Sequence, residues 1–336
     1  MSADAHTAPS QAEPSRRLQN WLGSLSYRNI GAVYVWILLI IIFTVWKPSL
    51  FPTTQTAKSV VNQYAITGLA ALAVVMPLAA GVFDLSIGST IGFAGVFAGW
   101  SLNTLNLPVG AAVALTLVAG LAIGTLNSIV VVKMNIDSFI GTLATGSIIG
   151  AATLWVSSDE IITGKVSGSF TKIASTDIAG VQLPVIYMLV AMLVLGFVLE
   201  QTVFGRRVYA SGYGPEVSRL VGLRVGRIRT LSLLFSGVLG SFAGIALASR
   251  IGSADPSVGP EYLIPAFSAA FVGASQFRHG RFNPWGTVVA VLMIGTGSVG
   301  LLLAGTPNWT PQVFQGAVLI AAVGITQLQR RRPVAD

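Results

Sequence analysis

The sequence predicts an all-α, polytopic membrane protein of about ten transmembrane helices, and three observations predict it. Of 336 residues, 53% are hydrophobic and only 10% charged, at a mean hydropathy of +0.74, whereas soluble domains carry about 25% charged residues. Apolar windows long enough for a bilayer core, about 17 to 25 residues each, recur from residue 30 to residue 327. The lysines and arginines collect in and beside the stretches between those windows, which leave no room for a soluble domain of useful size.

The expected spans are 30–46, 59–81, 85–103, 109–132, 137–157, 184–201, 229–251, 263–275, 284–304 and 310–327. Residues 1–28, rich in Ser, Ala and Pro with little to bury, are expected to form a disordered cytoplasmic tail. The apolar run that follows is longer than a signal-peptide core and has no small-residue cleavage site after it, so it is expected to remain as the first span of a transmembrane domain over 29–328. Residues 329–336 form a basic C-terminal tail. The span at 263–275 is too short to cross the core unaided at about 1.5 Å per residue. It is retained because, with both termini cytoplasmic, all but five of the twenty lysines and arginines face inward. The five outside are Lys47, Lys58, Lys165, Lys172 and Arg250. This inward excess is what membrane topology favours.

Composition excludes several function classes. Without cysteine there is no disulfide, thiolate metal site or thiol nucleophile. The two histidines, His6 and His279, lie far apart in polar segments, so no metal and no cofactor is expected. A pI near 10.1 suits inward-facing basic loops better than nucleic acid, so no nucleic-acid partner is expected. The polar residues are too scattered to nominate an acid, base or nucleophile, which argues against an enzyme.

An internal echo is visible. An offset of 171 residues lays Asp84-Leu85-Ser86-Ile87-Gly88 on Asp255-Pro256-Ser257-Val258-Gly259, each after a long apolar span. The spans concerned run in opposite directions in this topology, so the repeat is expected to be inverted, an arrangement common in transporters. Asp84 would then sit in the cytoplasmic turn between spans two and three. Two roles stay open for it: capping the next helix, or direct contact with a solute or gate. Asn62, Gln63, Ser86 and Asn127 are the pathway candidates, with interhelical hydrogen bonding as the alternative for each.

The inner loop 205–228 carries Pro215, suited to the first turn of a helix, Glu216, suited to the positive end of its dipole, and Gly222, suited to its stop. A short helix over roughly 215–221 is expected, with Leu220 and Val221 as apolar contacts and Arg219 facing solvent or a partner. Such a basic loop could dock a partner or bind anionic lipid. The outer loop 158–183 is expected to be irregular or a small docking surface.

Four stretches, GVFDLSIGS (81–89), FIGTLATGSIIGA (139–151), FGRRVYASGYGPEVSRLVGLRV (204–225) and FSGVLGSFAGIALASRIGSADPSVG (235–259), resemble the permease subunits of bacterial ABC importers for ribose, other monosaccharides and related small polar solutes. The resemblance extends from about residue 59 to residue 330. It implies a helical permease in the bacterial inner membrane, paired with a second permease subunit as a homo- or heterodimer. Two cytoplasmic ATP-binding subunits and an extracytoplasmic substrate-binding protein would complete the transporter. On that resemblance Glu216, Arg219, Leu220 and Gly222 belong to the loop that docks on the ATPase; the echo, independently of it, leaves Asp255 a pathway or cap candidate like Asp84. Val217 and Ser218 stand where many such importers have two alanines, Val82-Phe83 where Gly-Ile is common, and VGASQFRHGRF (272–282) where the family is richer in Gly. The chain itself lacks a G-x-x-x-x-G-K-[ST] phosphate loop. An ion-coupled secondary transporter is the rival reading, since inverted repeats suit that class too.

Overall fold

A computed structural model describes residues 27–275 and 280–330. The expected tails, 1–28 and 329–336, lie almost wholly outside the described residues, as do Arg278 and His279. All ten expected spans are helices: α1 (Tyr27–Trp46), α2 (Thr54–Ala79), α3 (Ile87–Asn103), α4 (Val109–Ser128, continued by a π-turn Ile129–Lys133), α5 (Ser138–Ser157), α6 (Leu183–Gln201), α9 (Val225–Ile251), α10 (Leu263–Ala274), α11 (Pro284–Leu303) and α12 (Thr310–Arg330). Between α6 and α9 lie two helices of the inner loop, α7 (Val203–Tyr213) and α8 (Pro215–Leu220). Six of the described helices are long and apolar enough to cross a bilayer alone. The protein is a multi-pass membrane protein.

The offset of 171 recurs in the element boundaries. Applied to α2 it gives 225–250, against Val225–Ile251 for α9; applied to α3 it gives 258–274, against a 3-10 turn Gly259–Tyr262 followed by α10. Applied to α5 it gives 309–328, against Thr310–Arg330 for α12. The halves are inverted. Arg250, at the end of α9, donates to the carbonyls of Asn62 and Gln63, near the start of α2 (3.0 and 3.2 Å), so the two helices run antiparallel. Gly88 and Gly259, equivalent under the offset, touch one another. A position can meet its own equivalent only where the relating axis passes, so the axis lies beside these two glycines.

Buried small residues make this packing close, as bilayer helices without a strong hydrophobic drive between them require. Gly120 of α4 packs on Gly237 and Ser241 of α9, and Gly124 on Leu233 and Leu234, so α4 and α9 are antiparallel. Ile87, Ile91 and Gly95 of α3 meet Gly240, Gly244 and Ala248 of α9 in parallel order.

That register corrects the expected place of Asp84. Ile87, the first residue of α3, lies level with Gly240, close to the middle of the 27-residue α9. The chain therefore leaves the C-terminal end of α2 at Ala79, returns through 80–86 to the middle of the bundle, and only there starts α3. A cytoplasmic turn was expected because hydropathy marks the break in the apolar run but not its depth. The short α10 is the inverted counterpart, which explains its length: it covers half the bundle.

The inner loop is more helical than expected: a second helix, α7, precedes the one anticipated at 215–221. Its Thr202 cap accepts from the Gly205 amide (3.1 Å), and packing overrides its mixed composition. The outer loop is ordered. A two-residue hairpin, β1 (Asp177–Ile178) and β2 (Val181–Gln182), follows buried Val166, Phe170 and Ala174. Ser249 of α9 donates to the Phe170 carbonyl (2.8 Å).

Candidate functional site

Non-helical backbone at membrane depth is tolerated only where protein satisfies its polar groups. Segment 80–86 meets that condition through α5. The Phe83 amide donates to Ser138 Oγ (3.1 Å) and the Leu85 amide to Thr142 Oγ1 (2.9 Å). Asp84, 1% exposed, closes the turn: its Oδ1 accepts from the Ser86 amide (3.1 Å), Ser86 Oγ (2.6 Å) and Asn127 Nδ2 (3.3 Å). Asn127 Nδ2 also donates to Ser86 Oγ (2.7 Å), and Thr145 Oγ1 donates to Asn127 Oδ1 (2.5 Å). Asp84, Ser86, Asn127 and Thr145 thus form one buried network joining the re-entrant turn to α4 and α5. Asp84 thus closes the turn just ahead of α3 and reaches across to α4, but it accepts from no amide of the first turn of α3, whose N-cap residue is Ser86 and makes no side-chain capping bond.

The inverted copy repeats the turn but not the network. Asp255 Oδ1 accepts from the Ser257 amide (2.8 Å) and Ser257 Oγ (2.7 Å), the same Asp-x-Ser geometry. Asp255 is only half-buried and Ser257 is exposed. The equivalents of Asn127 and Thr145 are Ser298 and Gly316, so this copy has no side-chain amide or second hydroxyl at those places. Asp84→Ala is therefore expected to cost more than Asp255→Ala. Removing the buried acceptor strands donors worth about 1–3 kcal/mol each, whereas Ser257 can turn to water. Thermal midpoints of the two variants in one detergent check this, and equal losses would contradict it.

Of the other candidates, Asn62 pins the outer hairpin. Its Nδ2 donates to the Gly180 carbonyl (3.2 Å), and its Oδ1 accepts from the Gln182 amide (2.9 Å). Gln63, one residue on, is exposed. Asn62 and Gln63 are thus near the outer end of α2, away from the Asp84 network.

The inner loop presents a different surface. Helix α8 ends in a Schellman motif: the Leu223 amide donates to the Ser218 carbonyl (2.9 Å) and the Gly222 amide to the Arg219 carbonyl (3.0 Å). Gly222 sits at φ +82°, the left-handed conformation that favours glycine. Ser218 is buried and its Oγ donates to the Ala210 carbonyl of α7 (2.9 Å). Glu216 and Arg219 form an exposed i,i+3 pair at 2.8 Å, which contributes little to stability. Leu220 is 87% exposed, with Val217 and Val221 beside it. The expected apolar contacts of Leu220 and Val221 are thus not made within the described chain, and the face that carries them points outward.

Helix α7 ties this surface to the re-entrant segment. Gly212 packs backbone to backbone on Ala79 and Gly81, where 80–86 begins. Tyr209 OH donates to the Phe282 carbonyl (2.8 Å), and the Arg281 guanidinium lies 5.5 and 5.6 Å over the rings of Tyr209 and Tyr213. Above α7 opens a cavity of ≈ 680 Å³ walled by segment 81–85, α5, α10 and α12. Phe83, one of the departures noted in the sequence, lies in it between Phe139, Phe267 and Phe271.

A profile of the family described as branched-chain amino acid transport system / permease component matches residues 56–323. The chain belongs to this family. As a member of the permease family it is a transporter component and not an enzyme, with ATP hydrolysis on a separate subunit. Among its relatives are autoinducer 2 import system permease proteins. LsrD of Photorhabdus laumondii is 31% identical over 310 residues, which cover 88% of this chain and 92% of the relative. LsrD of Yersinia enterocolitica is 29% identical with the same coverage. The ribose import permease protein RbsC of Bacillus subtilis is 30% identical over 297 residues, again 88% and 92% of the two chains. The permease match runs from the start of α2 into α12, and so includes both Asp-x-Ser turns and the whole inner loop.

Proposed function

We propose that this permease carries a monosaccharide, ribose-like, or a related small polar solute across a bacterial inner membrane, with both termini cytoplasmic. It works as a pair of permease subunits, homo- or heterodimeric, fed by an extracytoplasmic binding protein and driven by two ATPase subunits. The observation that carries this reading is α8. It is held rigidly on α7, caps its own end, and leaves Leu220, Val217 and Val221 in solvent on the basic side of the protein. An apolar cluster that none of the described residues covers fits a partner's pocket.

The two ends of the machine are mechanically joined. A partner that moves α8 moves α7, and Gly212 of α7 bears on the backbone at the start of segment 80–86, which walls the inner cavity. Solute-binding proteins deliver to the outer face, where the ordered loop 158–183 offers the docking surface. The rival ion-coupled reading needs an ionisable relay in the membrane. Asp84, the acid at mid-depth, is already occupied by hydrogen bonds from Ser86 and Asn127.

Uptake of radiolabelled D-ribose and other pentoses into vesicles holding the whole transporter tests this. With ATP retained, collapse of the proton and sodium gradients is expected to leave uptake intact. Uptake that stops with the gradients and ignores ATP would replace this reading with its rival.

A further inference from the structure

From Asp84 to Trp100 every residue is buried except Leu85, Ser89, Phe93, Phe97 and Trp100. Their spacing of four, four, four and three places them on one line along α3. Each is partly exposed, unlike the bilayer-exposed Trp155 of α5 at 82%. A helix closed on every side but one leaves a single narrow strip open, hereafter the groove. Leu85, at the foot of the strip, also lines the inner cavity, so the strip starts at that cavity's wall. Below the centre the inverted half-helix α10 supplies the facing wall through Leu263, Ile264, Phe267 and Phe271.

We propose that this line on α3 is the outer half of the solute path, and that the stacked rings of Phe93, Phe97 and Trp100 recognise a neutral sugar ring by its C–H face. The inference rests on the solute class proposed above and narrows it. The rings form a continuous aromatic surface: Phe93 and Phe97 have centroids 5.3 Å apart at 16°, and Phe97 and Trp100 5.5 Å apart at 26°. A ring face is electron-rich and attracts the polarised C–H hydrogens of a sugar, while the hydroxyls at the sugar's edge stay free for water and for Ser89. Neither the line nor the cavity lining carries a charged side chain. A free amino acid would have to bring a carboxylate and an ammonium past these walls without a counter-charge, which is costly. A sugar brings none.

The absence of cysteine makes each introduced thiol the one thiol of the permease, read against the cysteine-free parent in the same transporter. Ser89→Cys, Phe93→Cys and Phe97→Cys, with Trp155→Cys as the bilayer-facing control, are exposed to a hydrophilic methanethiosulfonate in vesicles holding the complete transporter. The three groove thiols are expected to react and the control to stay unmodified. In parallel, Phe97→Ala and Trp100→Ala are expected to lower D-ribose or other pentose uptake about 2- to 10-fold, the size of a lost ring contact. Unreactive groove thiols would overturn the path while pentose uptake by the parent left the proposed function standing. Wild-type uptake by both alanine variants would overturn ring recognition. Uptake of L-leucine in place of every pentose would overturn the solute class, with reactive thiols still locating the path.

Discussion

Gly259→Val is expected to abolish assembly of the folded permease. A side chain at Gly259 would place its Cβ 2.5 Å from the Gly88 carbonyl oxygen and 2.6 Å from the Gly92 Cα and amide nitrogen. Ordinary overpacking of a core costs about 1–3 kcal/mol because side chains can shift rotamer. Here both sides of the clash are backbone, and the obstructed contact is the one between the two inverted halves. The cost therefore lies at or above the top of that range, a large fraction of the stability of any domain. Gly316→Val, where nothing stands within 4 Å, is the control and is expected to elute from a sizing column as the parent does. A monodisperse, transport-competent Gly259→Val variant would show that the halves do not meet through these glycines.

Leu220→Asp is expected to uncouple the permease from its ATPase without unfolding it. The side chain is 87% exposed and contributes nothing to the core, so the thermal midpoint should hardly move. If Leu220 is an anchor in the ATPase's pocket, its replacement by a charge should weaken that complex by about 2 kcal/mol or more, roughly 30-fold. Titration of the ATPase subunit against permease in nanodiscs reads this directly, and ATP-driven uptake should fall with it. An unchanged affinity would remove α8 as the docking element and leave the basic loop as a lipid contact.

The effects differ in kind because Gly259 acts inside the fold and Leu220 outside it, yet α7 connects the two regions. Segment 80–86 touches Gly212 at its start and the Asp84 network at its end. The unequal twins fit this placement. The turn at Asp84, nearer the loop 205–228, is locked by side chains of Asn127 and Thr145, while at Asp255 the side-chain bonds come from its own Ser257 and the neighbouring Ala254 is bridged through backbone to Ile162.

What the sequence by itself determined was whatever depends on residues near one another along the chain. Ten apolar windows gave ten helices because the requirement that a lipid-exposed backbone satisfy its own hydrogen bonds leaves no other form. Pro215, Glu216 and Gly222 marked α8 because helix ends are set within one turn. The offset joining Asp84 to Asp255 was readable because both turns use the same local Asp-x-Ser bonds. Only the tertiary structure decided depth and facing. An interrupted apolar run looks alike whether its break lies at the surface or at mid-bundle. The height of Asp84 was fixed by Gly88 meeting Gly259 and by hydroxyls of Ser138 and Thr142, residues remote in the chain. The facing of Phe93, Phe97 and Trp100 is likewise not written in the sequence, since aromatic side chains suit a bilayer and a solute groove equally. Which of the two they face depends on how α5, α9 and α10 close around α3, and that is a property of the packed bundle.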